Sequence, residues 1–374
     1  MSAWPFILFS IVFVGLVCAH FLPSYRAWVR TRGEHPADID PNYVRIEDYF
    51  ARSFRLKMSE WLKLPVHETR ADGTKIIIKG DERIRVSGPC DYPSKSESDE
   101  ILAVDGDFRC GTDCLFHREI HVRGNAVVGA GTRLQSIAVD GNLLLASGVA
   151  VTRWADSTGE MKIGSGAVVR ARATSGTLIE IAGGAVVGSA FAPMVSTSGG
   201  GLDCETSAAE VQISRIELPG AARASSAGGA RKRQWLDPGR MHKISHDSWL
   251  YLGSLVPPMP LHVKANLIVR GDCILPAGSL VERHLKARGR IEMKEGSVCS
   301  GNVVAEGDIF FEQSCRFRGV VHTGRTLRLG RGVIGGEEGK KVSAYAAGIL
   351  TLEDGVTVYG KVSSGDRVVA ATRE

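Results

Sequence analysis

The chain has 374 residues, 44% of them hydrophobic and 23% charged, the proportions of a folded protein rather than a disordered one. Its formal net charge of +5 is small for this length and spread along the chain, which gives little support to nucleic acid as a partner. Glycine is abundant at 44 residues while aromatics make up only 7%, a balance that favours many short strands and tight corners over helical packing.

From the N-terminus, residues 4–22 read WPFILFSIVFVGLVCAHFL, without a formal charge and long enough as a helix to cross a bilayer. No lysine or arginine precedes the apolar stretch, so an uncleaved transmembrane helix over 1–23 is expected rather than a secretory signal. Arg26, Arg30 and Arg32 follow it, and the positive-inside rule then places the C-terminal body in the cytoplasm, with a periplasmic body as the alternative.

A juxtamembrane region over 24–100 comes next. Tyr43, Ile46, Phe50, Phe54, Met58 and Trp61 recur at spacings of three and four among Arg45, Arg52, Arg55, Lys57 and Lys63, which predicts a basic amphipathic helix. Such a helix can lie on anionic lipid or pack against the following domain. Residues 75–86 read as a strand pair turning at Gly80-Asp81, and residues 89–100 as a polar loop.

From Ile101 a motif recurs: VDGDFRC, VRGNAVV, VDGNLLL, and later VRGDCIL, ARGRIEM and AEGDIFF. With the motif glycine as origin, the coils begin at Gly106, Gly124, Gly141, Gly159 and Thr177, then at Gly271, Gly289, Gly307, Arg325, Gly348 and Asp366. Their period is 18 residues, with one longer step that encloses the polar insertion 335–343. Apolar residues fall at offsets +2 and +4 (Phe108/Cys110, Leu143/Leu145, Ile291/Met293), mostly small residues at +8 and larger apolar ones at +10, and apolar pairs at +14 and +16 (Ile120/Val122, Ile137/Val139). Side chains two apart share one face of a strand, so two inward positions every six residues predict a triangular tube. Glycine at offset +7, as at Gly131, Gly166 and Gly296, marks the corners. The fold class expected is therefore all-β, a triangular parallel β-solenoid in two blocks, 101–195 and 262–374, preceded by one transmembrane helix.

Between them, 196–261 loses the phase and is rich in small, basic and proline residues, the composition of a flexible linker and cap. Arg231-Lys232-Arg233 reads as a solvated loop cluster, and Trp235, Trp249 and Tyr251 as part of a cap on the second block. Eight cysteines (18, 90, 110, 114, 204, 273, 299, 315) contain no CxxC pair, and several occupy inward positions, so they read as buried reduced thiols.

At VRGNAVVGAGTRL, ARGRIEMKEGSVC and AEGDIFF the sequence resembles the bactofilins, the polymer-forming cytoskeletal proteins of bacteria. The resemblance covers about 101–190 and 262–372. It implies a right-handed β-helix that polymerises end to end without nucleotide beneath the inner membrane: a membrane-anchored scaffold that self-associates through solenoid ends, contacts the inner membrane through residues 4–22, and recruits cell-envelope partners. The chain departs from the family in carrying two blocks, a long linker and the apolar N-terminal stretch.

The same six-residue period suits hexapeptide-repeat acyltransferases, the alternative function. Such an enzyme needs a histidine base at a coil-edge cleft, for which His117, His121, His284 and His322 are the candidates. None sits in a recognisable loop constellation. His242 and His246 are spaced for one helical face but have no acidic companion, so no metal site is assigned. No P-loop, nucleotide fingerprint, GxSxG or paired-carboxylate motif is present. The reading is thus of a protein that is not an enzyme, with no catalytic, cofactor or metal residues.

Overall fold

The computed structural model describes residues 46–197 and 238–371. The chain divides into two units, 1–49 and 50–374; the second holds the solenoid.

Alternating burial builds the tube. Phe108 and Cys110 point inward while Arg109 is exposed, and the same in-out-in pattern recurs at Leu143–Leu145, Met161–Ile163 and Leu327–Leu329. Each short strand pairs in parallel with its counterpart one coil on: Phe108 lies over Ala126, Ala126 over Leu143, and Leu143 over Met161. Three faces result. In the first block we call them a (offsets +2 to +4), b (+8 to +10) and c (+14 to +16), and in the second a′, b′ and c′.

The repeat motif has a structural reason. The Asp or Asn after the motif glycine accepts from the backbone N–H one coil further on: Asn125 N donates to Asp107 Oδ1 at 2.8 Å, Asn142 N to Asn125 Oδ1 at 2.9 Å, and Glu160 N to Asn142 Oδ1 at 2.8 Å. This ladder occupies corner amides that no strand pairing reaches. At the next corner the residue at offset +7 adopts positive φ, supplied by Gly131 (71°) and Gly296 (67°) but also by Asp113 and Ser314 (both 57°), in keeping with the tolerance of short polar residues for this region.

That corner also exposes coils that the spacing rule missed. Lys95 has φ 65°, seven residues after Gly88, and Cys90–Tyr92 and Glu97–Ser98 are strands paired with the coil that follows. The expected polar loop over 89–100 is therefore a first rung. Its inward residues, Cys90, Tyr92 and Ser98, are too polar to signal a core. Likewise Leu255, Leu261, Val263, Leu267 and Val269 are buried at offsets +2, +8, +10, +14 and +16 from Gly253, giving the second block an earlier rung. Each block then has seven rungs on its first face. The polar insertion forms a tight turn in which Glu337 bridges Lys340.

The two blocks are not separate. The last strand of the first, Val186–Thr197, pairs antiparallel along all three faces with the last strand of the second, Thr357–Ala370. Val187 meets Val368 (b to a′), Ala190 meets Val362 (c to c′) and Val195 meets Val358 (a to b′). Equivalent faces joined in this way are related by a local twofold axis, so the two C-terminal ends close on each other. One apolar cluster runs from Leu102 through both blocks to Ala370. At about 4.8 Å per rung the double stack is roughly 65 Å long.

The outer ends are finished differently. In the first block the hairpin of Lys75–Lys79 and Glu82–Ser87 extends face c, and Arg83 and Arg85 converge on Glu100, with Arg83 Nε 2.7 Å from Glu100 Oε1. In the second, the hairpin of Met241–Ser245 and Ser248–Tyr251 extends c′, with Trp249 and Tyr251 on the strand that pairs with Asn266–Val269. Arg231–Arg233 and Trp235 lie outside the described residues.

The expectation of a transmembrane helix ahead of the solenoid is corrected. Among the described residues no helix is long and apolar enough to cross a membrane. The α-helix present, α1 (Tyr49–Trp61), has 13 residues, about 20 Å against a hydrocarbon core of about 30 Å, and it carries Arg52, Arg55 and Lys57. Residues 4–22 lie outside the described residues.

Packing in the tube is matched between rungs. Gly335 takes an inward position on b′, and a Cβ there would come within 2.1 Å of the Phe317 ring; the large residue of one rung occupies space left by the small residue of the next. Gly335→Val is expected to destabilise by about 1–3 kcal/mol, and Phe317→Leu in the same chain to restore part of that loss, as read from denaturant midpoints. Equal losses in the single and double variants would refute the pairing.

Candidate functional site

A buried polar constellation lies outside the tube, where α1 crosses face c. The helix turns Ala51, Phe54 and Met58 inward, and Phe54 and Met58 share an apolar cluster with Ile101, Ala103 and Ala138 of face c. Small residues at 103 and 138 let the helix approach closely. Phe54 packs edge-on against Trp154 at 5.8 Å and against His121 at 6.3 Å between ring centroids. Of the two roles open to an amphipathic helix here, α1 adopts packing on the solenoid.

Arg55 anchors this contact. Its Nε donates to Asp140 Oδ1 at 2.7 Å, Nη1 to Asp156 Oδ1 at 3.1 Å, and Nη2 to the Val139 carbonyl at 2.9 Å. Asp156 is 4% exposed, a carboxylate that burial would strongly disfavour without a cation beside it. Sequence reading noted Arg55 only as one of several interspersed bases, because its partners lie 85 and 101 residues away.

His121 completes the cluster. It is 6% exposed, and its Nε2 comes within 3.3 Å of Asp140 Oδ2 without a well-aligned hydrogen bond. Burial pushes its pKa below the ordinary histidine value; Asp140 opposes that shift, while Arg55 and Arg123 reinforce it. Releasing α1 would hydrate His121 and return its pKa toward about 6.5. The released state then binds more protons, so docking is strongest above that pH and weakens as pH falls through the depressed value. Proteolysis within α1 is expected to accelerate below about pH 6 in the native chain and to lose that pH dependence in His121→Gln. A flat native profile would contradict it.

A groove of about 260 Å³ opens beside the cluster, lined by Leu62, Lys75, Val86, Asp105, His121 and Arg123 among others, smaller than the about 300–1,000 Å³ of ordinary small-molecule sites. A wider concavity of about 510 Å³ on the second block holds Phe310, Glu312 and Arg328. Within it Glu312 is paired with Lys294 at 2.6 Å and Arg328 with Glu353 at 2.6 Å.

The four candidate histidines are not brought together. His117 is an exposed residue at the b–c corner, 2.8 Å from Glu97. His121 lies under α1, His284 Nδ1 accepts from Asn302 N at 2.9 Å, and His322 stacks on Tyr345 with centroids 5.0 Å apart. His242 lies on a strand rather than a helix, and His246 bonds Asp247. Glu97, Asp99 and His117 could together contact a cation, and all three are exposed; sequence reading missed this grouping because the two acids belong to the unrecognised first rung. The described cysteines are free thiols. Burial pushes Cys273 and Cys299 up to about 12 and Cys110 and Cys315 up to about 11, so these four are not ready nucleophiles. Cys18 and Cys204 lie outside the described residues.

Scans against protein-family models, curated proteins and solved structures return no match.

Proposed function

We propose that this protein is a non-catalytic scaffold of the bactofilin type, in which the end-to-end stacking expected between solenoid subunits is built into one chain. The observation that carries the reading is the antiparallel closure of Val186–Thr197 on Thr357–Ala370, with an apolar interior running unbroken through it. A solid tube of this kind offers surfaces rather than a reaction chamber. Its C-terminal ends are consumed internally, so further self-association falls to the two N-terminal mouths. Their edge strands are short, Cys90–Tyr92, Glu97–Ser98 and His262–Val263, and lie beside Pro89, Pro93, Pro257, Pro258 and Pro260. Short edges with proline resist strand pairing, so contacts between chains are weaker than the junction within one, and recruitment of partners falls to the lateral faces.

Analytical ultracentrifugation of residues 46–374 tests this. The scaffold reading expects a single chain in weak, reversible, nucleotide-independent equilibrium with higher oligomers as concentration rises. A discrete trimer that binds acyl-coenzyme A would overturn it in favour of the hexapeptide-repeat transferase.

A further inference from the structure

The local twofold axis allows each outward residue of face c to be matched with one of c′. Counting rungs from the junction, Val86, Ala103, His121, Ala138, Asp156 and Thr174 correspond to Leu250, Ile268, Lys286, Val304, His322 and Tyr345. On face c this column is roofed by α1. On c′ its counterparts stay open: Lys286 and His322 are exposed, and Leu250, Ile268, Val304 and Tyr345 are half-buried. The two columns are offset across the junction: the first ends at Phe191, which pairs with Lys361, and the second at Ser363, which pairs with Ser189.

The charges differ between the halves. The roofed column offers Asp140 and Asp156 to a basic helix. The open column offers Lys286, with Arg270 and Arg288 on the corner that corresponds to Asp105 and Arg123. All three are exposed, and no ion pair involving them is found among the described residues. Glu306, the counterpart of Asp140, confines the basic stretch to the outer rungs. A second copy of α1, with its own Arg52, Arg55 and Lys57, is therefore mismatched here.

We propose that face c′, from Leu250 to Val304, is a docking site for an acidic amphipathic helix of a partner protein, seated as α1 is seated on face c. Its apolar stripe covers Leu250, Ile268 and Val304, and its carboxylates meet Arg270, Lys286 and Arg288. The proposal names the kind of partner that the scaffold reading requires and rests on that reading. Its test is independent of assembly state.

The probe is a fluorescein-labelled synthetic peptide of residues 46–64 in which Arg52, Arg55, Lys57 and Lys63 are replaced by Glu, titrated with the full chain at low salt and followed by anisotropy. The charge-inverted peptide is expected to bind, and Lys286→Glu with Arg288→Glu to weaken it about tenfold or more, each exposed charge contributing to a desolvating contact. The unaltered peptide is expected not to bind. Near-ultraviolet circular dichroism checks that the double variant keeps its fold. Absence of binding, equal binding of both peptides, or indifference to the double variant would overturn the proposal. So would tenfold tighter binding to a chain lacking residues 202–218, whose own acidic and apolar sequence would then be the occupant. Failure of the sedimentation test alone would remove the scaffold reading while leaving the peptide result to stand.

Discussion

Val362→Asp is expected to separate the two halves of the solenoid. Val362 is fully buried and faces Ala190 across the junction, inside an apolar cluster where a carboxylate finds no cation. Placing an unpaired acid there costs about 4–5 kcal/mol or more, even after it neutralises itself by taking up a proton. The junction is the place where pairing does not follow the chain from coil to coil, so the loss should appear there first. Calorimetry of the variant should show one cooperative transition becoming two, and hydrogen exchange should show protection lost in 186–197 and 357–370 while Leu143–Leu145 and Ile291–Met293 keep theirs. Arg316→Asp, at an exposed position on the outer surface of b′, is the control and should shift stability by less than about 0.5 kcal/mol. A single unsplit transition in Val362→Asp would mean that the blocks do not depend on this contact.

The second large effect is expected at Arg55. Arg55→Ala removes the bonds to Asp140, Asp156 and the Val139 carbonyl and takes the guanidinium from beside the buried Asp156 carboxylate. Breaking a fully buried pair costs about 3–5 kcal/mol; Arg55 and Asp140 retain side-chain exposures of 21% and 35%, so screening lowers the expectation to about 2–3 kcal/mol. Burying Phe54 and Met58 stabilises the contact by about 3–6 kcal/mol together, from which the cost of ordering the helix is subtracted, so the loss of Arg55 should increase fraying of α1 while the tube stays folded. Cleavage at Lys57 and the emission of Trp154 report this directly. In Arg55→Ala with Asp156→Ala both members of the pair are gone, so the double loss should fall short of the summed single losses by at least about 1 kcal/mol. Strict additivity would show that the ion pair does not hold the helix.

These two sites differ in how far they could be read in advance. The tube itself was legible because its rule is local. Alternation within a strand and a turn every six residues are each satisfied within a few residues, so Phe108/Cys110 and Leu327/Leu329 announce an interior without reference to anything distant. Where an inward position is polar, as at Cys90, Tyr92 and Ser98, the same rule falls silent, and the first rung passes for a loop.

The amphipathic stripe of Phe50, Phe54, Met58 and Trp61 likewise announced a helix but not what it covers. Burial against Ala103 and Ala138 required residues some 50 to 80 positions further along. Arg55 gains its role only when Asp140 and Asp156 arrive from two successive coils.

What the sequence by itself determined is the cross-section: three faces, eighteen residues and a filled interior, because side-chain alternation and corner geometry are properties of short segments. Only the tertiary structure decided how the coils end, with Val186 set against Val369, and that α1 covers face c while no α-helix among the described residues covers c′. Those outcomes depend on the fit of whole end surfaces and on charges far apart in the chain, and a short segment carries no information about the surface it will meet.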